Sequence, residues 1–264
     1  MPIIDNENQI REIEMGLNLI EKAESDPLIQ EPFAKDFSLR FCWSSNAIEG
    51  NTLNLEETVS VIEYDEVRSG HTYSEYHEAK NLYQAISQLL VPFKKQEITE
   101  DWVKDANGII LGKKSDYRES PVYIGTLVEA IFYPPDYEEI PALMKQFIVD
   151  IPCEGNSVKE VLERAAEFHI RFERIHPFQD GNGRVGRMIL NQQLINHGLL
   201  PLAIEPKGKY RQAFRQYDKN KDISLMTYTL CKGEMESINK IQELVKKRNQ
   251  QIKPGKKKEY VPKM

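Results

Sequence analysis

Twelve consecutive residues, His176-Pro177-Phe178-Gln179-Asp180-Gly181-Asn182-Gly183-Arg184-Val185-Gly186-Arg187, bring together side chains that polyphosphate chemistry uses. Gly181 and Gly183 flank Asn182 and permit a tight turn whose backbone N–H groups converge into an anion nest. The nest runs into the start of a helix, where free N–H groups and the macrodipole favour phosphate. Arg184 and Arg187 fall in that helix's first turn, so both guanidinium groups can address one polyphosphate. Asp180 is a hard oxygen ligand beside the anion site, suited to Mg²⁺ shared with phosphate oxygens. His176 is the residue here whose ordinary pKa lies near neutrality, which makes it the natural general base. Base, metal ligand, nest and two arginines together describe phosphoryl or nucleotidyl transfer. No Gly-Lys-Ser/Thr follows the glycines, so the loop is not of the Walker type.

Two strong helices must hold this loop. Over Val158–Ile175, the residues Val158, Leu162, Ala165, Ala166, His169 and Phe172 share one helical face. His176 ends the run, because the residue before a proline is pushed out of helical geometry. Arg184–Asn196 forms the helix on the other side. Upstream, Ile10, Ile13, Leu17 and Ile20 recur at helical spacing, and Pro27 and Pro32 punctuate the next stretch. Further helices are expected over Phe33–Ile48 (closed by Gly50-Asn51), Leu55–Arg68, Tyr73–Leu90, Ile98–Gly108 (capped by Thr99), Ile140–Val149, Tyr210–Asp218 and Ser224–Lys247. Asp116–Pro135 differs in kind. It holds Val122, Tyr123, Ile124, Leu127, Val128, Ile131 and Phe132 between turn signals, which predicts a β-hairpin. The fold class is all-α with one small hairpin.

At 264 residues, with 40% hydrophobic and 29% charged residues, the chain is long enough for a real core. No run approaches the roughly 18 to 20 apolar residues of a membrane span, and the N-terminus lacks a secretory layout, so a cytoplasmic location is expected. A formal charge of -6 argues against general nucleic-acid binding. The charge is uneven: residues 1–31 hold eight acids, whereas residues 245–264 hold eight Lys or Arg against Glu259, which reads as a solvated helix end. Cys42, Cys153 and Cys231 are too widely spaced for a zinc site and read as ordinary thiols. His71 and His77-Glu78 lack a third ligand at a metal-binding spacing.

The loop resembles the signature of the Fic family, His-x-Phe-x-Asp/Glu-Gly-Asn-Gly-Arg-x-x-Arg, at every fixed position. The resemblance implies an all-α Fic-type helical bundle with a β-hairpin flap over the active site. It also implies a division into residues 1–95 (an N-terminal helical region), 96–205 (the core) and 206–264 (C-terminal helices and a basic tail). The implied activity is transfer of AMP from ATP, with Mg²⁺, onto a Ser, Thr or Tyr hydroxyl of a target protein. His176 would deprotonate that hydroxyl, and Phe178 would anchor the loop. Asp180 would hold Mg²⁺. Gly181, Asn182 and Gly183 would form the anion hole, Arg184 would bind phosphate, and Arg187 would engage the γ-phosphate. Tyr210 and Tyr217 are candidates to stack on adenine, and Val122, Tyr123 and Ile124 to dock the target by strand addition. Self-association is common in the family.

Upstream, Ser45-Asn46-Ala47-Ile48-Glu49-Gly50 resembles the family's inhibitory motif. Ser45 and Glu49 stand one helical turn apart and share a face. The resemblance implies that Glu49 pairs with Arg187 and keeps it from the γ-phosphate. Two other functions use the same loop: removal of AMP with Glu49 positioning water, or nucleotide sensing with negligible turnover. An intact His176 favours catalysis over sensing.

Overall fold

Apolar residues three and four apart shape the first half of the chain. The structure is a computed structural model that describes residues 3–67, 69–125, 130–151, 157–206 and 209–252. Helix α1 (Glu7–Glu24) buries Ile10, Ile13, Gly16, Ile20 and Ala23. Helix α2 (Pro27–Ile48) buries Ile29, Phe33, Phe37 and Phe41, a stripe at four-residue spacing. The Asp26 side chain caps it by accepting from the Leu28 N–H at 3.1 Å. Pro27 sits in the first turn, where its missing N–H has no intrahelical partner to lose.

One expectation is corrected here. Phe33 does not begin the helix, because α2 runs straight through Pro32. Pro32 forgoes the bond to the Leu28 carbonyl, and Leu28 is exposed, so water can serve that oxygen. Burial of Ile29 and Phe33 on either side contributes about 1.5–3 kcal/mol each, enough to offset a proline penalty of ~3 kcal/mol.

Helices α3 (Leu55–Tyr64) and α4 (Tyr73–Leu89) each start with a capping box, Asn54 with Glu57 and Thr72 with Glu75. Helix α3 stops short of the expected Arg68, which lies outside the described residues, because Asp65 turns left-handed at φ 56°. Helix α5 (Glu100–Leu111) is capped by Thr99 as expected. Helices α6 (Ile140–Asp150), α7 (Val158–Ile175), α8 (Asn182–Asn196), α9 (Tyr210–Asn220) and α10 (Ser224–Ile252) complete the set. Helix α8 is buried on nearly every side, and α7, α5 and α2 pack against it.

The hairpin is much shorter than Asp116–Pro135. Strand β1 (Ile124–Gly125) pairs antiparallel with β2 (Ala130–Phe132), Ile124 opposite Phe132. Pro121, Pro134 and Pro135 bring no N–H to a ladder, which limits its extension. Val122 and Tyr123 precede the paired strand. Leu127 and Val128 lie outside the described residues.

A single apolar cluster joins residues from all three expected segments, including Ile13, Phe37, Leu162, Phe172, Leu190 and Ile241. No helix among the described residues is long and apolar enough to cross a membrane. Cys42 and Cys231 are free and buried, and Cys153 lies outside the described residues.

Because Phe37 is 1% exposed in the middle of α2, Phe37→Ala should lower unfolding free energy by about 3–5 kcal/mol in a urea titration. A loss below about 1 kcal/mol would mean that α2 is not anchored through this face.

Candidate active site

Helix α7 delivers His176 and ends there. His176 caps the helix in the left-handed region (φ 50°, ψ 60°), a conformation that costs a non-glycine residue about 1–2 kcal/mol. Arg118 holds that geometry. It is buried, its Nε donates to the His176 carbonyl at 2.9 Å, and its backbone N–H donates to the Pro177 carbonyl at 2.9 Å. The same guanidinium reaches the Ser120 and Pro135 carbonyls, so one side chain ties the start of the His176–Arg187 loop to both ends of the hairpin segment. Nδ1 of His176 faces the Glu173 carbonyl at 3.3 Å. A proton there leaves Nε2 with its lone pair. Burial pushes the imidazole down to about 4, helped by the Arg118 and Arg174 charges, so it is neutral at ordinary pH.

The turn itself is closed by side chains. Asn182 Oδ1 accepts from the Phe178 N–H and its Nδ2 donates to the Phe178 carbonyl, both at 2.8 Å. Phe178 is buried in the core. Asn107, fully buried on α5, donates from Nδ2 to the Asp180 carbonyl at 2.8 Å. Gly181 has φ +81°, and a Cβ on it would come within 2.7 Å of Asn107 Nδ2, so both backbone and space require glycine. Helix α8 begins at Asn182, two residues before the expected Arg184. The N–H groups of Asn182, Gly183 and Arg184 are thus its unpaired first-turn donors.

An anion already lies beside that turn. The Glu49 carboxylate lies against Gly183, where a Cβ would fall 2.1 Å from Glu49 Oε1. Arg187 donates from Nη2 to the same oxygen at 2.6 Å. Arg187 is 2% exposed, and it also donates from Nε to Ser45 Oγ at 2.8 Å, from Nη2 to the Ser45 carbonyl at 3.0 Å, and from Nη1 to Tyr210 Oη at 3.3 Å. Burial alone would raise the Glu49 carboxyl. The Arg187 charge and hydrogen bond outweigh it and hold Glu49 below the usual carboxylate range. Arg211 on α9 donates to the Ile48 carbonyl at 2.6 Å and fixes the end of α2 beside the site.

A cavity of about 340 Å³ opens above this floor, lined among others by Glu49, His176, Gly183, Arg187 and Tyr210. The hairpin supplies Ile124, Gly125 and Phe132 to its rim, and the Arg174 guanidinium lies 4.5 Å from the Phe132 ring centre. Tyr210 is buried, and its hydroxyl meets His169 Nε2 at 2.7 Å. Tyr217 does not belong with Tyr210: it is not among the lining residues, and its ring carries Lys221 Nζ at 4.8 Å. It stands seven positions along α9 from Tyr210, close to two full turns, yet the cavity has ended by then.

Asp180 points outward, with its side chain 72% exposed, and accepts from the Gly181 N–H. Among the described residues no cluster of three or more His, Cys, Asp or Glu forms a metal cage. One exposed carboxylate beside an anion nest suits Mg²⁺, which keeps water and phosphate oxygens as its other ligands. Val122 and Tyr123 flank the rim, with Tyr123 exposed, but no strand pairing reaches them. Sequence reasoning missed Arg118, Asn107, Glu173 and Arg211. No local signal pointed to Arg118, which lies among polar residues, or to Asn107.

The sequence profile of the Fic/DOC family matches residues 97–194. A protein adenylyltransferase Fic of Drosophila virilis is 29% identical over 184 residues, covering 67% of this chain and 37% of that protein. The chain thus spans about a third of the length of the curated relatives it matches. A Fic-domain signaling protein of Bacteroides thetaiotaomicron superposes with a TM-score of 0.78 at 23% identity, covering 89% of this chain and 97% of that one. Fic-1 of Caenorhabditis elegans gives 0.73 at 20% identity, covering 90% and 72%. These two superpositions establish the shared fold.

Asn182→Ala removes both bonds that close the turn on Phe178. It should lower stability by roughly 1–3 kcal/mol, read as a reduced urea midpoint, because the buried Phe178 N–H and carbonyl lose their partner. An unchanged midpoint would show that the turn holds its shape without them.

Proposed function

We propose that this chain, whose residues 97–194 form a Fic domain, transfers AMP from ATP to a hydroxyl of a target protein and is restrained by its own Glu49. The observation that carries this reading is the Glu49 carboxylate, seated on the first turn of α8 and paired with the buried Arg187. The fold keeps an anion where a polyphosphate would bind, and it holds a neutral histidine at the edge of the same cavity.

In this reading His176 Nε2 takes the proton of the target hydroxyl, whose oxygen attacks the α-phosphorus of ATP. The P–O bond to pyrophosphate breaks as the new P–O bond forms. The N–H groups of Asn182, Gly183 and Arg184 hold the phosphate oxygens, while Arg184 and Arg187 offset charge on the departing pyrophosphate. Asp180 would hold a Mg²⁺ ion, which supplies charge neutralisation at the phosphates when bound. The short hairpin at the rim is the surface on which a target segment would lie beside His176, with Val122, Tyr123 and Ile124 at its edge. The adenine would stack near Tyr210.

Restraint follows from competition for one arginine. With Glu49 on Arg187 and over Gly183, the γ-phosphate has neither its cation nor its space. Glu49→Gly should therefore raise incorporation of α-labelled ATP into lysate proteins at least tenfold, about 1.4 kcal/mol of barrier. Arg187→Ala should be inactive with or without Glu49, and His176→Ala should bind ATP within a few fold yet transfer nothing. Equal, substantial rates for wild type and Glu49→Gly would sink the restraint, and labelling by purified His176→Ala would end the general-base role.

A pH profile tests the base separately. With His176 pushed down to about 4, the unprotonated imidazole persists well below its ordinary pKa. The acid limb of kcat/KM for Glu49→Gly should accordingly lie nearer pH 4 than the ordinary value of about 6.5. A limb at the ordinary position, absent unfolding, would mean that another group sets it.

A further inference from the structure

Glu173, one turn before His176 on α7, takes no part in the transfer step. Its side chain is 8% exposed and lines the cavity, and its Oε1 has no hydrogen-bond partner. The space it occupies exists because Gly186 has no side chain: a Cβ there would stand 2.7 Å from Glu173 Oε1. A buried carboxyl oxygen without a partner is costly unless a ligand completes it.

We propose that Glu173 is a recognition group of the nucleotide cavity, whose neutral carboxylic acid donates a hydrogen bond to the terminal phosphate that replaces Glu49 on Arg187. This rests on the reading of the cavity as a nucleotide site. The charge balance favours it. Glu49 from α2 and Glu173 from α7 share the buried Arg187 of α8 as their nearest counter-charge. Arg184 and Arg211 also act on Glu49 and Arg174 on Glu173, and Tyr210 of α9 closes the group. Once Glu49 gives way to a polyphosphate, an ionised Glu173 would add a like charge beside it. A protonated Glu173 offers an O–H instead, much as a carboxylic acid kept neutral by burial serves as a donor elsewhere.

The surrounding groups leave Glu173 to respond near neutrality. Burial pushes its carboxyl up to about 7, with Glu49 acting the same way and Arg187 and Arg174 opposing. Burial holds His169 at about 3 and His176 at about 4, so both stay neutral. Glu49 is held below the carboxylate range, Tyr210 is pushed above the ordinary phenol range by burial, and Arg187 stays charged. Arg174, Arg211 and Arg215 complete the charged lining.

The test is binding of α,β-methylene ATP, which cannot be cleaved at the transferred bond, to the full-length Glu49→Gly chain between about pH 6 and 9. Glu49→Gly removes a charge that helps hold the Glu173 proton, so the onset lies below the value of about 7 in the intact chain. Above that onset Kd should rise towards tenfold per pH unit, the limit for uptake of one proton. In Glu49→Gly/Glu173→Gln, whose amide donates at every pH, the rise should shrink to that of the nucleotide's own titration. Glu49→Gly/Glu173→Met, which cannot donate, should bind at least fivefold more weakly at pH 6 with the same flattened profile. AMP, which lacks a terminal phosphate, should show one pH profile in all three proteins. Identical profiles for α,β-methylene ATP with Glu173 present or replaced would overturn the proposal and leave the nucleotide site standing. Failure of α,β-methylene ATP to bind Glu49→Gly at any pH would overturn both.

Discussion

Arg187 cannot shed its proton, and the fold buries it almost completely, so every element around it is arranged to meet that charge. From its place on α8 it makes four hydrogen bonds to two other helices, to Ser45 and Glu49 at the end of α2 and to Tyr210 of α9. An unpaired guanidinium here would cost several kcal/mol, which makes the packing of α2 and α9 against α8 an electrostatic requirement as well as an apolar one. The partners are not equivalent. Ser45 is fully buried and Tyr210 nearly so, while the Glu49 side chain is 39% exposed and sits at the C-cap of its helix. Glu49 is the partner that can leave by side-chain rotation alone, and another anion can then take its place.

The loop beside Arg187 is rigid by construction. Asn182 closes it on Phe178, Asn107 holds the Asp180 carbonyl, and Arg118 pins His176 and Pro177. None of these contacts uses a first-turn N–H of α8. The donors stay free while the backbone that aims them is fixed, so an arriving anion meets dipoles that need no reorganisation. The left-handed strain at His176 belongs to the same arrangement, since it turns the chain from α7 into the loop within one residue and leaves the imidazole at the cavity edge.

Much of this was legible in the sequence because it is local. The span of α7 and its stop before Pro177 come from apolar spacing and pre-proline geometry, and Ser45 with Glu49 lie one turn apart wherever that helix packs. The misreadings have a common cause in tertiary context. Pro32 reads as a break until the burial of Ile29 and Phe33 is counted against it. The hairpin reads long because Val122 and Tyr123 favour strands, whereas pairing needs donors that the nearby prolines lack. Tyr210 and Tyr217 look alike on a helical wheel, and only the packing of α9 separates them. Asn107, Arg118 and Glu173 were invisible for a simpler reason: each acts on a segment distant in sequence or on an empty space made by a glycine.

In the proposed function, coupling between Glu49 and the nucleotide would arise from geometry without any moving domain. Arg211 fixes the Ile48 carbonyl and Ser45 is locked on Arg187, so the last turn of α2 stays in place when the Glu49 side chain swings out. Gly50, at φ +106°, has already turned the chain away from the helix, so nothing downstream must move with the carboxylate. Departure into water with nothing in exchange leaves Arg187 short of a counter-charge in a buried site, which is the expensive outcome. Departure in exchange for a phosphate keeps the charge paired. On that proposal the two anions would exclude each other at Gly183 and Arg187, and each would stabilise the fold only while the other is absent. Such a device would need no second site: whatever weakens the hold of Glu49 would raise the affinity for the terminal phosphate by at most the same free energy.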